Sequence, residues 1–498
     1  MTQLSLATVL AESARRTPDK LAVVEGESRI DYGQLWADAR RCGAALAANG
    51  ITAGSRVALI APNVVDFILA YYGILAVGGV VVPIPTLLNA DEAAYLIGNS
   101  SAELVLHDVS FAELATKAAA EAGIRALDIA RFADGVEPLP TYVTRQAEDP
   151  AVIFYTSGTT GLPKGAVLTH LNLVLNATVN AFDANDIHRD DVVMGSLPLF
   201  HTFGQSVSMN ATFRTGATLL LQPRFHPLEA IDIMTREHAT LFFGVPTMFV
   251  KMLEFAPQAG ELPRLRDCVS GGASLPGAVL ERFQQVFDTT IYEGYGLSET
   301  SPTATVNQNA FGTKAGTVGH PVWGVEVEVA EENVEDRIEL LPAGRLGEIV
   351  IRGHNVFAGY LDNPQATAEA LVDGWFRTGD IGRKDEQGFI SIVDRKKDLI
   401  IRGGFNVYPR EVEEVLMRHP GVAEVAVIGV PDDETGEEVC AVVVPTDPGT
   451  FDAAELISWS REHLGRHKYP RRVEVIGELP VGPSHKVLKR ELRDQFGK

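Results

Sequence analysis

The chain has 498 residues, of which 46% are hydrophobic and 22% charged, a composition ordinary for a soluble globular enzyme with several domain-sized cores. Its net charge of −22 argues against nucleic acid or anionic lipid as partners of the whole surface, and any anionic substrate needs local cationic groups. Cys42, Cys268 and Cys440 lie too far apart for a metal spacing or a disulfide framework, so we expect a reducing, cytoplasmic compartment.

The first third of the chain alternates between helical and strand patterns. Its most apolar run, Phe67 to Ile84, contains three glycines and Pro83. It falls short of the ~20 uninterrupted residues of a transmembrane helix, so it predicts a buried helix leading into a strand. The N-terminus also lacks the pattern of a signal peptide. The alternation predicts an α/β fold with largely parallel sheets. The predicted helices are 5–16, 31–48 and one from residue 63, and the predicted strands are 21–24, 57–60, 80–84, 104–106 and 126–129.

A loop rich in Gly and Thr separates two apolar runs, 151–155 and 166–168, which we expect to be strands. Glycines allow the backbone to approach a ligand closely, and the hydroxyls and free N–H groups suit phosphate oxygens. A hairpin without a ligand is the alternative, because turns favour the same residues, but the full string favours phosphate binding. The predicted phosphate-binding residues are Thr156, Ser157, Gly158, Thr159, Thr160, Gly161 and Lys164.

This loop differs from the P-loop of common NTPases, because Pro163 precedes Lys164 and a β-prone run follows it. The string closely resembles the signature loop of the adenylate-forming superfamily, which includes acyl-CoA synthetases, adenylation domains of peptide synthetases and firefly-type luciferases. The resemblance implies a loop that closes over the β- and γ-phosphates of ATP. It extends over nearly the whole chain, with the motifs in the order of the family.

Beyond the loop, the pattern continues as helices and short strands and then changes at Gly324. Period-2 alternation from there predicts a small antiparallel, barrel-like subdomain, 324–394. We expect a helix at 171–181, an apolar helix from His201, strands at 192–197, 217–221, 241–245 and 267–270, and a strand that enters a loop within 291–300.

The charged run 394–398 lies between two predicted strands, and on charge alone it would be a solvated turn. In the adenylate-forming family the matching position is the hinge of a small mobile C-terminal domain, which implies that Lys397 is the pivot. We therefore predict a large domain, 1–394, and a mobile α+β domain, 395–498. Within the latter, a βαβ-like pattern predicts helices 409–418 and 453–464 and strands 425–430 and 440–444.

The segment 294–300 resembles the adenine and Mg²⁺ segment of the family. Tyr295 can stack on a purine, and Glu299 supplies the hard oxygen that Mg²⁺ prefers, with Thr156 as a second metal ligand. The bland alternative for Glu299 is a surface carboxylate. The resemblance assigns a further set of residues to the nucleotide: Gly271, Gly272, Ala273, Glu293, Gly294, Tyr295, Gly296 and Ser298.

Two charged positions near the C-terminus resemble catalytic and ribose-binding residues. The resemblance implies that Asp380 accepts the ribose hydroxyls, with Arg395 at the ribose or phosphate, and a surface Asp–Arg pair is the alternative. Lys486 resembles the lysine that bridges the acyl carboxylate and the α-phosphate, where an ammonium offsets two approaching anions. The family usually has Gly where His485 stands, and a solvent-exposed lysine is the alternative interpretation of Lys486.

His201 carries most of the information about the acid. Adenylation domains of peptide synthetases tend to carry Asp here to pair with an ammonium, whereas the matching His of acyl- and aryl-CoA synthetases lies at the carboxylate end of the acyl pocket. Malonate-type ligases usually have Arg where Gly294 stands, so a dicarboxylate is disfavoured. The apolar candidates for the pocket, each of which could instead be core, are Phe203, Phe242, Phe243, Val245, Met248 and Tyr292.

The acceptor thiol would meet Arg402, Gly403 and Gly404, which resemble the loop that guides the pantetheine arm of coenzyme A. Ile401 stands where some relatives have Lys, which removes one phosphate contact. Lys468, Arg471 and Arg472 are further candidate contacts for the CoA phosphates, or a solvated basic patch.

Together these motifs predict an ATP-, Mg²⁺- and CoA-dependent acyl-CoA synthetase. We expect a medium- or long-chain fatty acid as substrate, with an aryl acid such as 4-coumarate second. The rivals are an acyl-AMP ligase that loads an acyl carrier protein, a luciferase relative, and a non-catalytic nucleotide-binding regulator, which would have lost Lys486. The motifs fix neither the chain length of the acid nor the oligomeric state, for which a homodimer is one alternative.

Overall fold

The computed structural model describes residues 2–156, 162–482 and 487–497. The chain divides into two compact units, one of Met1–Val327 with Ile351–Phe376 and the other of Glu328–Val350 with Arg377–Lys498. The boundary between Asp394 and Arg395 stays a prediction. In the described ranges no helix is both long and apolar enough to cross a membrane.

The predicted helices are present, with ends that differ by a few residues, and the structure has further helices for which no bounds were predicted. In chain order the α-helices are α1 Thr8–Arg16, α2 Tyr32–Ala48, α3 Val65–Ala76, α4 Ala90–Asn99, α5 Ala112–Glu121, α6 Ile129–Phe132, α7 His170–Val179, α8 Ala211–Thr215, α9 Pro227–Arg236, α10 Pro246–Phe255, α11 Gly277–Phe287, α12 Pro364–Ala370, α13 Pro409–Leu416, α14 Ala453–His463 and α15 Lys489–Phe496. Two π-helices, Asn180–Ala184 and Phe203–Asn210, extend α7 and precede α8.

Short 3₁₀ turns occur at Val109–Phe111, Ala256–Gln258, Ser298–Thr300 and Lys396–Asp398. The strands are β1 Leu21–Glu25, β2 Ser28–Asp31, β3 Arg56–Ile60, β4 Val80–Pro83, β5 Leu104–His107, β6 Arg125–Asp128, β7 Pro150–Thr156, β8 Lys164–Thr169, β9 Val192–Gly195, β10 Thr218–Leu221, β11 Leu241–Gly244, β12 Asp267–Ser270, β13 Thr290–Gly296, β14 Thr303–Val306, β15 His320–Pro321, β16 Val325–Ala330, β17 Leu346–Gly353, β18 Gly359–Tyr360, β19 Leu371–Val372, β20 Trp375–Lys384, β21 Ile390–Arg395, β22 Ile400–Arg402, β23 Phe405–Val407, β24 Val422–Asp432, β25 Gly436–Pro445 and β26 Arg472–Val475.

The first unit is built on two large sheets. One has the order β18-β8-β7-β4-β3-β5-β6, and the other β15-β14-β13-β12-β11-β9-β10-β1-β2. The central strands of both pair in parallel, and antiparallel pairs occur toward the ends, which confirms the predicted α/β class. The apolar run from Phe67 forms the buried helix α3, which leads into β4 as predicted.

The second unit contains a sheet of order β23-β22-β25-β24, with β26 beside β25. The predicted βαβ pattern is present only in part, because β24 and β25 form an antiparallel hairpin, whereas β25 and β26 are parallel and α14 joins them. The strands of the predicted β-rich subdomain form a separate sheet of order β16-β17-β20-β19, with β21 paired to β20.

His170, the first residue of α7, binds the N-terminal segment of the first unit to this helix. Its Nδ1 accepts a hydrogen bond from the Leu6 N–H at 3.0 Å, and its Nε2 has no partner in the described part of the chain. The ring is fully buried, and this burial, with the nearby charge of Arg145, lowers the pKa of His170 to about 4. The native fold therefore holds a neutral imidazole.

This neutral imidazole predicts acid sensitivity of the fold. Below pH ~6.5 the unfolded chain binds a proton at His170 that the folded chain refuses until about pH 4, so the free energy of unfolding falls across that window and not above it. We expect His170 to remove about 2 kcal/mol of stability between roughly pH 7.5 and pH 5. Urea unfolding of the wild type and of His170→Asn at both pH values measures this loss, and equal losses in the two proteins would contradict it.

Candidate active site

The two strands predicted on either side of the signature loop are present. β7 and β8 pair antiparallel, with Thr156 opposite Lys164 at the open end. The five predicted phosphate-binding residues between these strands, Ser157, Gly158, Thr159, Thr160 and Gly161, lie outside the described residues. The described residues that flank them are Thr156 on one side and Leu162, Pro163 and Lys164 on the other.

Thr156 and Glu299, the two predicted metal ligands, lie together. The Thr156 hydroxyl donates a hydrogen bond to Glu299 Oε1 at 3.2 Å. Glu299 is 7% exposed and sits in the 3₁₀ turn that follows β13. A buried carboxylate beside a hydroxyl is a hard oxygen set that suits Mg²⁺.

Tyr360 completes this cluster, and the sequence did not single it out. Its hydroxyl donates to Glu299 Oε1 at 3.0 Å, and the Lys164 ammonium lies 5.3 Å from the centroid of its ring. A cleft of about 340 Å³ adjoins Lys164. It is lined by Tyr95, Asn99, Leu162, Pro163, Lys164, Gly165, Leu361, Asp362 and Asn363.

The predicted adenine-binding residues follow the carboxyl ends of parallel strands, the usual location of ligands in α/β sheets. In register, Gly244 of β11 pairs with Ser270 of β12, which pairs with Glu293 of β13. Residues 271–273 continue from β12, while Gly294, Tyr295 and Gly296 end β13 and Ser298 opens the turn that carries Glu299.

Glu293 has a supporting contact within this region. It is buried, and its Oε1 accepts a hydrogen bond from the Leu275 N–H at 3.2 Å. This bond ties the turn after β12 to β13. The position of Glu293 is thus explained by the backbone it holds, and its predicted contact with the nucleotide stays a prediction.

The predicted acyl-pocket residues are divided between two environments. The Phe203 ring lies against Gly271, where an added Cβ would be 3.0 Å from the ring, and His201 Nδ1 accepts from the Phe203 N–H at 3.2 Å. Phe242, in contrast, packs on Phe249 at 5.3 Å between ring centroids, within a buried aromatic cluster. Phe243, Val245, Met248 and Tyr292 are also buried, and the Tyr292 hydroxyl donates to Asn309 Oδ1 at 2.6 Å.

The helix that we expected from His201 is present, and it is a π-helix over Phe203–Asn210. Its buried residues include several polar side chains, so it is less apolar than expected. Buried oxygens without a hydrogen-bond partner among the described residues occur in and near it, at Thr202, Gln205, Ser206, Ser208 and Ser270. π-helices are frequent at functional sites.

In the second unit, Asp380 and Arg395 face each other across β20 and β21. Arg395 Nε lies 2.9 Å from Asp380 Oδ1, and Asp380 is almost fully buried. The preceding backbone is held by Glu348, which accepts from the Gly379 N–H at 3.0 Å and pairs with Arg377 at 2.7 Å. The two residues predicted at the ribose are therefore adjacent.

The predicted pivot, Lys397, lies in the 3₁₀ turn Lys396–Asp398. Burial, followed by the charge of Arg395, lowers the pKa of Lys397. Both ends of the charged run are tied down. Asp394 Oδ2 accepts from the Arg410 N–H at 2.8 Å, and Asp398 pairs with Arg493 of α15 at 2.6 Å.

The predicted acceptor loop is a tight hairpin turn between β22 and β23. Gly403 and Gly404 have φ of 56° and 80°, a conformation that favours glycine. The Arg402 side chain is 8% exposed and forms two hydrogen bonds to Glu438, at 2.6 and 2.9 Å. Phe405, which follows the two glycines in the same motif, is 60% exposed and its ring centroid lies 5.2 Å from that of His467.

The other predicted CoA contacts are also paired with carboxylates. Lys468 contacts Glu411 at 2.6 Å, Arg471 contacts Glu438 at 3.6 Å, and Arg472 contacts Glu474 at 2.7 Å. Lys486 and His485 lie outside the described residues. Their roles stay predictions.

Two family models match the chain: AMP-binding enzyme over residues 10–361, and AMP-binding enzyme C-terminal domain over residues 411–486. A long-chain-fatty-acid–CoA ligase of Bacillus subtilis is 34% identical over 99% of this chain and 94% of its own length. A feruloyl-CoA synthase of Amycolatopsis is 37% identical over 97% of both chains.

A solved structure, ATP-bound MatB from Rhodopseudomonas palustris, superimposes with a TM-score of 0.91 at 34% identity, over 99% of each chain. The resemblance first noted at the signature loop therefore holds across both matched segments and in three dimensions. The chain belongs to the AMP-binding enzyme family, and within the adenylate-forming superfamily it is an acyl-CoA synthetase.

Proposed function

We propose that this chain activates a medium- or long-chain fatty acid as acyl-AMP and transfers the acyl group to CoA. The observation that carries this proposal is the cluster of Thr156, Lys164 and Glu299 at the open end of β7 and β8, where a carboxylate, a hydroxyl and an ammonium surround one small volume. This set suits ATP bound to Mg²⁺, because Lys164 offsets the negative charge of the phosphates and Glu299 attracts the cation.

Mg²⁺ fits this cluster. In the described part of the chain no three His, Cys, Asp or Glu side chains are grouped to hold a metal by themselves. Mg²⁺ is usually bound by one or two carboxylates together with water and substrate phosphates, so Glu299 with Thr156 is a sufficient protein contribution. When bound, the ion would neutralise the charge that develops on the phosphates.

The reaction has two half-reactions. The acid carboxylate displaces pyrophosphate from ATP to give acyl-AMP, and we assign to Lys486 the ammonium that offsets the charge of the two anions. The CoA thiol then attacks the acyl carbonyl and AMP leaves, which we assign to the loop Arg402–Gly404. Asp380 and Arg395 hold the ribose side of AMP, and Lys397 is the pivot of the mobile C-terminal domain, 395–498.

An aryl acid is the second candidate substrate, and a specific observation favours it. Buried hydroxyls of Thr202, Ser206 and Ser208 lack partners among the described residues, and a buried polar group is costly unless something satisfies it. A substrate that carries ring hydroxyl or methoxy groups would supply such partners, whereas a saturated chain would not. The relatives include both classes, a long-chain-fatty-acid–CoA ligase and a feruloyl-CoA synthase.

The acceptor of the acyl group is either CoA or an acyl carrier protein. A loading enzyme for an acyl carrier protein would use the same adenylation residues. CoA is our proposal, because Arg402, Lys468 and Arg471 concentrate cations in the second unit of a protein whose net charge is −22. Each of these cations would exchange its carboxylate partner for a phosphate of CoA.

The purified protein with ATP, Mg²⁺ and CoA should release AMP when given the right acid. We expect kcat/KM for C8–C16 fatty acids to exceed that for ferulate and 4-coumarate by roughly tenfold or more, a difference of about 1.4 kcal/mol in transition-state binding. The reverse order would show that the aryl acid, not the fatty acid, is the substrate. AMP release with holo-carrier protein but not with CoA would show that the carrier protein is the acceptor. If no acid led to AMP release, the proposed activity would be refuted.

A further inference from the structure

Tyr360 contacts both charged side chains of the phosphate-binding cluster. We propose that Tyr360 is a positioning residue for adenylation, which orients the Glu299 carboxylate toward Mg²⁺–ATP and keeps Lys164 from pairing with it. The inference rests on the proposed role of Glu299 as a Mg²⁺ ligand. It concerns a residue that contributes no charge and that neither the loop motif nor the adenine segment contains.

The hydrogen bonds of Glu299 are asymmetric. The hydroxyls of Thr156 and Tyr360 both donate to Oε1, at 3.2 and 3.0 Å. Among the described residues, Oε2 accepts no hydrogen bond. A carboxylate has two oxygens, so two donors on one of them fix the orientation of the group and leave the other for a cation.

The ring of Tyr360 acts on Lys164. The ammonium lies 5.3 Å from the ring centroid, within the range of a cation–π interaction. No ion pair joins Lys164 to Glu299 in the described part of the chain. A direct pair would neutralise the two charges that the triphosphate and its metal require, and Tyr360 gives each of them a neutral partner instead.

The backbone holds Tyr360 in place before any ligand arrives. Tyr360 lies in β18, opposite Ala166 of β8, and its N–H donates to Thr367 Oγ1 at 2.9 Å. The Phe357 N–H donates to the Glu299 carbonyl at 2.9 Å, so the same segment also fixes the turn of Glu299. A side chain held this way is preorganised for its contact.

Burial, followed by the charge of Glu299, raises the pKa of Tyr360 well above its usual value. The hydroxyl that donates to Glu299 is therefore protonated at neutral pH.

The test is the gain in ATP affinity that Mg²⁺ provides, measured by calorimetry with ATP in Mg²⁺ and in EDTA. Tyr360→Phe keeps the ring and removes the hydroxyl. We expect it to reduce the Mg²⁺-dependent gain roughly tenfold, the usual effect of losing a hydrogen bond to a charged group, while ATP affinity in EDTA stays within about twofold. Tyr360→Leu should in addition weaken ATP binding in EDTA, because Lys164 then loses its ring partner.

Two reference variants separate the outcomes. Tyr32→Phe deletes another buried hydroxyl of the first unit, which bonds the Ala217 carbonyl, and should leave the Mg²⁺-dependent gain unchanged. Glu299→Gln should reduce the gain at least as much as Tyr360→Phe. A reduced gain in Glu299→Gln with a normal gain in Tyr360→Phe overturns the role of Tyr360 alone. If the wild type shows no gain, or Glu299→Gln keeps it, the metal role of Glu299 fails and the inference fails with it.

Discussion

Replacing Lys486 with alanine should lower the rate of acyl-AMP formation by about 10³-fold, the size of effect expected when a preorganised charge at a reacting centre is lost. The acid carboxylate and the α-phosphate are both anions, so without the ammonium their approach is opposed by uncompensated charge. Thioester formation from supplied acyl-AMP should stay within a few-fold of the wild type. Pyrophosphate release measures the first step, and CoA thioester formed from synthetic acyl-AMP measures the second.

Arg490 provides a matched control for this experiment. It lies four residues further along, in α15, and is exposed. Arg490→Ala removes one cation from the same segment, so it should leave both half-reactions close to wild type. Equal loss of the two half-reactions in Lys486→Ala would show a general structural defect and contradict the separate role of Lys486.

Much of the first unit could be predicted because its signals are local. Apolar strand runs and amphipathic helices recur at short spacing, and caps such as Asp31, whose side chain accepts from the Gln34 N–H at 2.7 Å, mark where helices begin. The strands on either side of residues 157–161 were equally readable, since each is an apolar run next to a segment rich in turn residues. Spacing along the chain thus determines most elements.

The contacts that sequence reasoning missed depend on distant pairing. Tyr360 reaches Glu299 only because the two-residue strand β18 joins the edge of β8, and so short a strand has no periodicity to detect. The π-helix Phe203–Asn210 was missed as well, because periodicity along the chain indicates a helix but not its type.

The acceptor region shows a different limit. The sequence offered Arg402, Lys468 and Arg471 as candidate contacts for phosphates or as a solvated basic patch, but it did not predict that Glu438 and Glu411 pair with them. The hairpin of β24 and β25 had a visible signal in the Asp432–Gly436 turn, where Asp432 Oδ1 accepts from the Thr435 N–H at 2.8 Å. The βαβ interpretation overlooked it because the middle of each strand is a continuous apolar run, which is also typical of parallel strands.

Gly296 tests how tightly the adenine segment is built. A Cβ at this position would lie 1.7 Å from the Pro302 carbonyl oxygen, a backbone atom that cannot move aside alone. Gly296→Ala must therefore displace the end of β13 or β14, and with it the turn that carries Glu299. We expect a loss of about 3 kcal/mol or more in the free energy of unfolding, at the high end for overpacking, and weaker ATP binding in the folded fraction.

Gly294, two residues earlier in the same strand, makes the comparison sharp. An added Cβ would lie 3.4 Å from the Thr305 carbonyl oxygen, an ordinary van der Waals contact. The free energy of unfolding of Gly294→Ala should therefore stay within about 0.5 kcal/mol of the wild-type value. Urea unfolding of both variants measures the difference. If Gly296→Ala were as stable as Gly294→Ala, the two strands would have to separate freely at Pro302, and the turn of Glu299 would not be rigidly held. A loose turn could not present one oxygen of Glu299 to a metal, so this pair of substitutions also tests the physical premise behind the proposed adenylation chemistry.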